Sequence, residues 1–229
     1  MRAFLLTSVM VLSPSLVLGQ PNPPSVHASA EAVVYAKPDQ VRIEIGVVTQ
    51  ANTAQAAASQ NATQLQTVLD KLRAAVGGKG EIRTTGYSLN PNYTFPRNGG
   101  EKPTISGYTA TNTVQVTSDD VEGVGKVIDA ATQAGANEIR QLQFRVRDER
   151  PVRAEALKNA ARDARASAEA MASALGLTLG PVLEIQEGNP QVIRPMMAMA
   201  AGAQAGTPVQ AGQIEVRVSV SLTVSLKQP

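Results

Sequence analysis

The residue types that most often perform chemistry in proteins are nearly absent from this sequence. It contains no cysteine and a single histidine, His27. Without a thiol, a cysteine nucleophile, a disulfide and a thiolate zinc site are excluded. A single imidazole excludes zinc sites built from several histidines and most Ser-His relays. We therefore expect no enzymatic activity, no metal site and no cofactor.

Aromatic side chains are concentrated in one segment. The chain has four Tyr and three Phe, of which Phe4 belongs to the N-terminal segment discussed below. Four of the others lie between residues 87 and 108, namely Tyr87, Tyr93, Phe95 and Tyr108. Such a cluster is typical of a ligand platform or a subunit contact. The structural alternative is a small satellite core beneath a long hairpin.

Methionines form a second cluster. Met196, Met197 and Met199 lie within four residues of one another. In an oxidising compartment, such thioethers can bind Cu(I) or be oxidised sacrificially. We favour the alternative, an adaptable apolar loop tip that packs against a neighbour, because the segment contains no histidine.

The first nineteen residues have the pattern of a secretory signal. Arg2 supplies the positive charge, residues 3–12 are mostly apolar, and small or aliphatic residues precede Gln20. An uncleaved anchor is disfavoured because Ser13-Pro14-Ser15 interrupts the apolar run. Export would place the protein in the periplasm or in association with the outer membrane, with residues 20–25 as an extended tail.

The composition and charge of the sequence are typical of a folded protein. The sequence is 43% hydrophobic and 17% charged, which is too apolar for a disordered protein. Without Arg2, the 21 Lys and Arg become 20, against 19 Asp and Glu. This near-neutral balance gives no reason to expect a nucleic-acid partner.

Hydrophobic periodicity predicts an α+β fold with antiparallel or mixed sheets. Two long amphipathic helices are expected at 52–76 and 150–175, and a shorter helix at 119–134. The helix at 52–76 would begin at Asn52, and the shorter helix would begin at Ser118-Asp119-Asp120. Residues 26–229 would form one domain, with the division into two subdomains left open and a flexible loop near 189–212.

The expected buried faces follow from the spacing of apolar residues. In the first helix the stripe is Ala58, Ala62, Leu65, Leu69, Leu72 and Val76, and in the helix at 150–175 it is Leu157, Ala161, Ala164, Ala168, Met171 and Leu175. Strands are expected at 26–36, 40–48, 81–89, 105–117, 138–147 and 182–186, with turns at 90–92 and 97–100.

The last predicted strand, residues 213–226, alternates apolar and polar residues throughout. It is longer than the strands available to pair with it. An unpaired overhang would expose backbone donors and acceptors, and these invite another chain. We therefore expect copies of the protein to associate through this strand, the aromatic segment or the methionine loop. The alternative is a strand that bends across two sheets of one monomer, which would satisfy the same backbone groups without association.

Four motifs together carry a resemblance to a known family. They are Thr85-Gly86-Tyr87-Ser88-Leu89-Asn90-Pro91-Asn92-Tyr93, Ile105-Ser106-Gly107-Tyr108-Thr109-Ala110-Thr111-Asn112-Thr113-Val114, Ala134-Gly135-Ala136-Asn137-Glu138-Ile139 and Glu155-Ala156-Leu157. The sequence from about Val26 to Leu226 resembles the SIMPL-domain family of bacterial periplasmic and outer-membrane immunogenic proteins.

The resemblance implies an exported envelope protein, ring-like or other homo-oligomers, and a link to oxidative-stress defence. It implies no catalytic residues. Three classes of function stay open at this point. We favour a homo-oligomeric structural or interaction protein, which could also contact outer-membrane or other envelope components. The alternatives are a periplasmic ligand- or Cu(I)-binding module and an enzyme that acts without cysteine or a histidine relay.

Overall fold

A computed structural model describes residues 23–96, 102–193, 207 and 209–228. The elements in these ranges are β1 (Ser25–Ala36), β2 (Gln40–Ala51), α1 (Ala54–Val76), β3 (Gly80–Thr94), β4 (Thr104–Ser118), α2 (Val124–Gln133), β5 (Glu138–Arg145), α3 (Arg150–Ala174), β6 (Thr178–Glu187), β7 (Gln191–Ile193) and β8 (Ile214–Lys227). The predicted α+β class with antiparallel sheets is confirmed. None of the helices in these ranges is both long and apolar enough to cross a bilayer.

The strands form two antiparallel sheets. The terminal sheet has the order β1-β8-β6, with β7 also paired to β8, and the central sheet has the order β3-β4-β2-β5. Helix α3 packs on the terminal sheet, whereas α1 packs on the central sheet and α2 packs on α1. Each sheet therefore has its own helical layer and its own core.

The core of the central sheet follows directly from strand alternation. Val41, Ile43, Ile45 and Val47 point to the same side of β2 and are at most 1% exposed, as the period of two predicts. They pack against apolar residues of α1 and α2. Burial of this row fixes the register of the strand, because a slip of one residue would turn the whole row toward solvent.

The buried face of α1 differs from the predicted stripe at Ala58, Ala62 and Leu69. The buried residues are Ala57, Asn61, Leu65, Val68, Leu72 and Val76, so Ala62 is exposed instead. A stripe chosen by apolarity passes over Asn61, which is 1% exposed. Its side-chain amide donates to the carbonyl oxygens of Val47 at 2.8 Å and Ala110 at 3.1 Å. The asparagine thus ties α1 to two neighbouring strands.

The start of α1 is also one residue later than predicted. Thr53 rather than Asn52 caps the helix, and its hydroxyl accepts from the backbone N–H of Ala56 at 3.2 Å. The helix ends at Gly77, which has a φ of 57°, a conformation that favours glycine.

Helix α3 buries alanines rather than the predicted Leu157, Met171 and Leu175. Its buried residues are Ala156, Ala160, Ala164, Ala168 and Ala172. Residues spaced four apart lie about 40° further round the helix at each step. This stripe therefore winds around α3 and follows the twist of the sheet. Met171 is 42% and Leu175 is 74% exposed.

Two further predictions are wrong. Residues 90–92 continue β3, an edge strand in which Pro91 is tolerated, rather than forming a turn. Helix α2 begins at Val124 instead of residue 119. The residues before it form a turn, in which the Ser118 hydroxyl accepts from the N–H of Asp120 and the Asp120 carboxylate from that of Gly123.

The C-terminal strand has no long overhang. β8 pairs with β1 from Ile214 to Ser225 on one side, and with β7 and β6 on the other. The argument for association through this strand is therefore wrong, because its backbone groups are paired within the same chain.

Replacing Asn61 tests the tie between α1 and the central sheet. We expect Asn61→Ala to lower the free energy of unfolding by about 1–3 kcal/mol, because it removes two buried hydrogen bonds. Urea unfolding followed by circular dichroism measures the change. The control is Gln60→Ala on the exposed side of the same turn, and equal stability of the two variants would contradict this role.

Candidate interaction surface

The aromatic residues lie on a hairpin that extends beyond its sheet. Strands β3 and β4 pair from Gly80↔Ser118 to Thr94↔Thr104. The neighbouring strand β2 stops at Ala51, opposite Tyr108. The end of the hairpin therefore has no third strand beside it among the described residues.

A bulge decides which side chains face the helical layer. Before the bulge, Thr84 lies opposite the buried Val114, so even-numbered residues of β3 point toward α1. One extra residue, Thr85, lies between Thr84 and Gly86 and reverses this alternation. From there the side chains on the α1 side are Tyr87, Leu89, Pro91 and Tyr93, and a second irregularity brings Ile105 opposite Tyr93.

The helical layer does not reach this row. Ala110 is fully buried, and its carbonyl oxygen accepts a hydrogen bond from Asn61 of α1. Helix α1 therefore covers β4 at least as far as Ala110. Nearer the tip of the hairpin, Tyr93 is 53% and Ile105 is 50% exposed, and Tyr87 is 57% exposed because it lies on the edge strand β3. These residues continue the apolar face of the sheet into solvent. Together with Leu89, Phe95 and the half-buried Tyr108 they form what we call the hairpin face.

The structure thus brings Tyr87, Tyr93 and Tyr108 together on one hairpin. Phe95 follows β3 directly and is 72% exposed, so the described residues form no satellite core over it. Met196, Met197 and Met199 lie outside the described residues. The hairpin face offers aromatic and aliphatic contact area, which suits packing against another molecule better than acid–base chemistry.

A polar cluster that sequence reasoning assigned to a helix cap joins three elements. Asp119 forms an ion pair with Arg147 and accepts from the side-chain amide of Gln40 at 3.3 Å. The hydrogen bond from Arg147 holds the pKa of the Asp119 carboxyl below its usual value, and the contact raises the pKa of Arg147. Both side chains are half exposed, so this pair connects surface segments. Across the part of the chain that the structure describes, no group of three His, Cys, Asp or Glu side chains is placed to hold a metal ion.

The last strand has no free edge, whereas among the described residues no strand pairs with the outer side of β1. The Pro24 carbonyl accepts from the N–H of Leu226 at 2.7 Å. Because backbone groups alternate along a strand, even-numbered residues of β1 bond to β8 and odd-numbered residues point away from it. The latter are Ser25, His27, Ser29, Glu31, Val33 and Tyr35.

This edge lacks the usual protection. Its ladder with β8 contains no bulge, and neither proline nor lysine occurs within β1. The edge strands β3 and β6 each carry a proline and two irregularities. A regular free edge is a surface to which another strand can pair.

Comparison with known proteins gives the family. Residues 26–224 match the model of the SIMPL family, described as a protein of unknown function (DUF541). The chain belongs to the SIMPL family. The match includes both sheets, the hairpin face and the free edge of β1, so these features lie within the SIMPL domain itself.

Curated relatives of this SIMPL protein include two kinds of bacterial protein. The 26 kDa periplasmic immunogenic protein of Brucella melitensis is 29% identical over 214 residues, which cover 90% of this chain and 86% of the relative. The uncharacterized protein YggE of Edwardsiella ictaluri is 31% identical over 166 residues, which cover 72% and 69%. YggE of Escherichia coli K12 is 27% identical over 213 residues, which cover 90% and 85%.

Two proline substitutions distinguish the free and the bonded side of β1 in this SIMPL protein. We expect Ala30→Pro to lower the free energy of unfolding by about 1–3 kcal/mol, because it removes a donor to β8 and leaves a buried acceptor unpaired. Ser29→Pro removes a donor that points away from the sheet and should cost clearly less. Urea unfolding of both variants checks this, and a larger loss in Ser29→Pro would reverse the assignment of the two sides.

Proposed function

We propose that this protein is a non-enzymatic component of the bacterial cell envelope that acts as a homo-oligomer. The observation that carries the proposal is the uncovered hairpin face. Assembly through this face would make the oligomer the functional form, with envelope components as further partners and no nucleic acid among them.

The chemistry of the hairpin face favours a second copy as its occupant. The row from Tyr87 to Tyr93 on the α1 side contains no charged residue. Two such faces related by a twofold axis would cover each other with aromatic and aliphatic contacts and without unpaired charges. Exposed apolar surface of this kind is otherwise unfavourable in water.

The location proposed is the periplasm, reached by a cleaved signal peptide. The relatives from Brucella are named as periplasmic proteins, and residues 1–19 have the signal pattern described above. Association with the outer membrane and a role in envelope or oxidative-stress defence are part of the same proposal, on the strength of the family resemblance. A periplasmic ligand- or Cu(I)-binding module is the competing function.

Charged substitutions in the hairpin face test the assembly. We expect the mature protein to be at least a dimer at micromolar concentration, and Tyr93→Glu or Phe95→Glu to reduce it to monomers. A charge buried against an apolar partner is costly, whereas both side chains are exposed in the monomer, so the fold should survive. Size-exclusion chromatography with light scattering gives the mass, and circular dichroism verifies folding.

The matched control is Leu175→Glu, which places the same charge on an exposed apolar residue at the end of α3. It should leave the assembly intact. A wild-type protein that is already monomeric at micromolar concentration would overturn the proposal in favour of a ligand-binding module.

Export is tested separately. We expect the protein from the envelope fraction to begin at Gln20, and the double variant Leu5→Arg, Leu6→Arg to stay in the cytosol because charges disrupt the apolar part of the signal. Mass spectrometry of the intact protein from each fraction provides the measurement. Recovery of an unprocessed chain beginning at Met1 from the envelope would contradict cleavage.

A further inference from the structure

A groove runs between α3 and β6 on the terminal sheet. Helix α3 packs mainly on β1 and β8 and touches β6 much less. Because its buried side chains are small alanines, α3 lies close to β1 and β8. Strand β6, at the edge of the sheet, extends beyond the area that α3 covers. The side chains of β6 that point to the helix side are consequently open to solvent.

The register identifies these side chains. Val182 lies opposite Val224 and Ile185 lies opposite Leu222. Both β8 partners are buried beneath α3, and residues directly opposite each other in a sheet share a face. Val182 and Ile185 therefore face the helix side, yet they are 45% and 61% exposed.

The groove has an apolar floor and an apolar wall. Val220 and Ile185 form its floor, Leu157 and Ala161 of α3 form the wall, and the groove has a volume of about 430 Å³. This volume lies in the lower part of the ~300–1,000 Å³ range of small-molecule sites. It suits one narrow apolar ligand.

The charged residues around the groove favour an anion. At one end Glu187 is neutralised by Arg153, whose guanidinium donates to it at 2.6 Å. Lys158 lines the groove, and Arg165 lies two helical turns further along the same side of α3. Neither Lys158 nor Arg165 has an ion-pair partner among the residues described.

The outer edge of β6 is unsuited to a peptide strand. It carries Gly180 and Pro181, and its pairing with β8 is irregular at two places. Addition of a strand needs a regular row of free backbone donors and acceptors. An apolar ligand held by side chains fits this surface better.

We propose that the groove binds a single aliphatic chain that ends in an anionic group, such as a free long-chain carboxylate. The chain would lie along Leu157, Ala161 and Ile185, and the carboxylate would pair with Lys158. This function goes beyond the proposed assembly. It uses a different sheet from the hairpin face, so each can fail without the other.

The test measures binding of cis-parinarate, a fluorescent fatty acid, to the mature full-length protein below the concentration at which the probe forms micelles. Saturable binding with one ligand per chain is expected. Ala161→Trp should fill the groove and weaken binding at least about tenfold, since a bulky side chain there leaves no room for the ligand. Lys158→Gln should weaken it about two- to fivefold, the effect of one exposed ion pair.

The controls separate the groove from other surfaces. Leu175→Gln and Lys71→Gln change an exposed apolar residue and an exposed cation elsewhere, and both should bind like the wild type. Decanoate should displace the probe more effectively than decanol, because only the carboxylate can pair with Lys158. Tyr93→Glu should retain binding, whatever its effect on assembly.

Three results would overturn the proposal. They are the absence of saturable binding, unchanged binding by Ala161→Trp, and binding only to phosphatidylglycerol vesicles, which would make this a membrane-surface contact. If Ala161→Trp does not fold, Ile185→Glu replaces it, because that exposed position tolerates a charge in the free protein and places it against the aliphatic chain.

Discussion

The pairing of β1 with β8 is the contact on which the terminal sheet depends. It joins residues 25–36 to residues 214–225 in an unbroken antiparallel ladder. Two strands nearly the whole chain apart thereby become neighbours, and α3 finds its apolar support on both of them. Bringing β1 and β8 together closes a loop of nearly the whole chain, which costs conformational entropy. The burial of Val216, Val218 and Val220 beneath α3 offsets this cost.

Covering that sheet with alanines has consequences at its margin. A helix that buries small side chains can approach the strands closely but contributes little area of its own. Its larger apolar residues, Leu157 among them, lie beside the contact instead of within it. The groove next to β6 therefore results from the same packing that makes the core of the terminal sheet thin.

The central sheet has the opposite character, because α1 contributes Leu65, Val68 and Leu72 and covers its strands with large side chains. Its exposed apolar surface arises where the cover ends. The extra residue at Thr85 turns the aromatic row to the side on which the core lies, and the hairpin carries the far end of that row past the end of β2. Local backbone geometry thus creates the surface on which the proposed assembly rests.

Several features could be read from the sequence because they depend on local patterns. The alternation of Val41, Ile43, Ile45 and Val47 predicted a half-buried strand, and the spacing of apolar residues predicted two long helices within two residues of their ends. The motifs around Tyr87 and Tyr108 indicated the SIMPL family, which the comparison confirms. The clustering of aromatic residues in the sequence also corresponds to one hairpin, since residues close along a hairpin are close in space.

The sequence by itself therefore determined most of the elements, their class and the family. The tertiary structure alone decided three things: that β8 is an interior strand, that Ala156 rather than Leu157 faces the sheet, and that Asn61 is buried. A strand's partners depend on residues far away in the chain, and an alanine or an asparagine becomes a core residue only when the surface opposite it leaves room or supplies carbonyl acceptors. The bulge at Thr85 was likewise decided by the tertiary structure. It is a property of the pairing between β3 and β4 and cannot be read from the sequence of either strand alone.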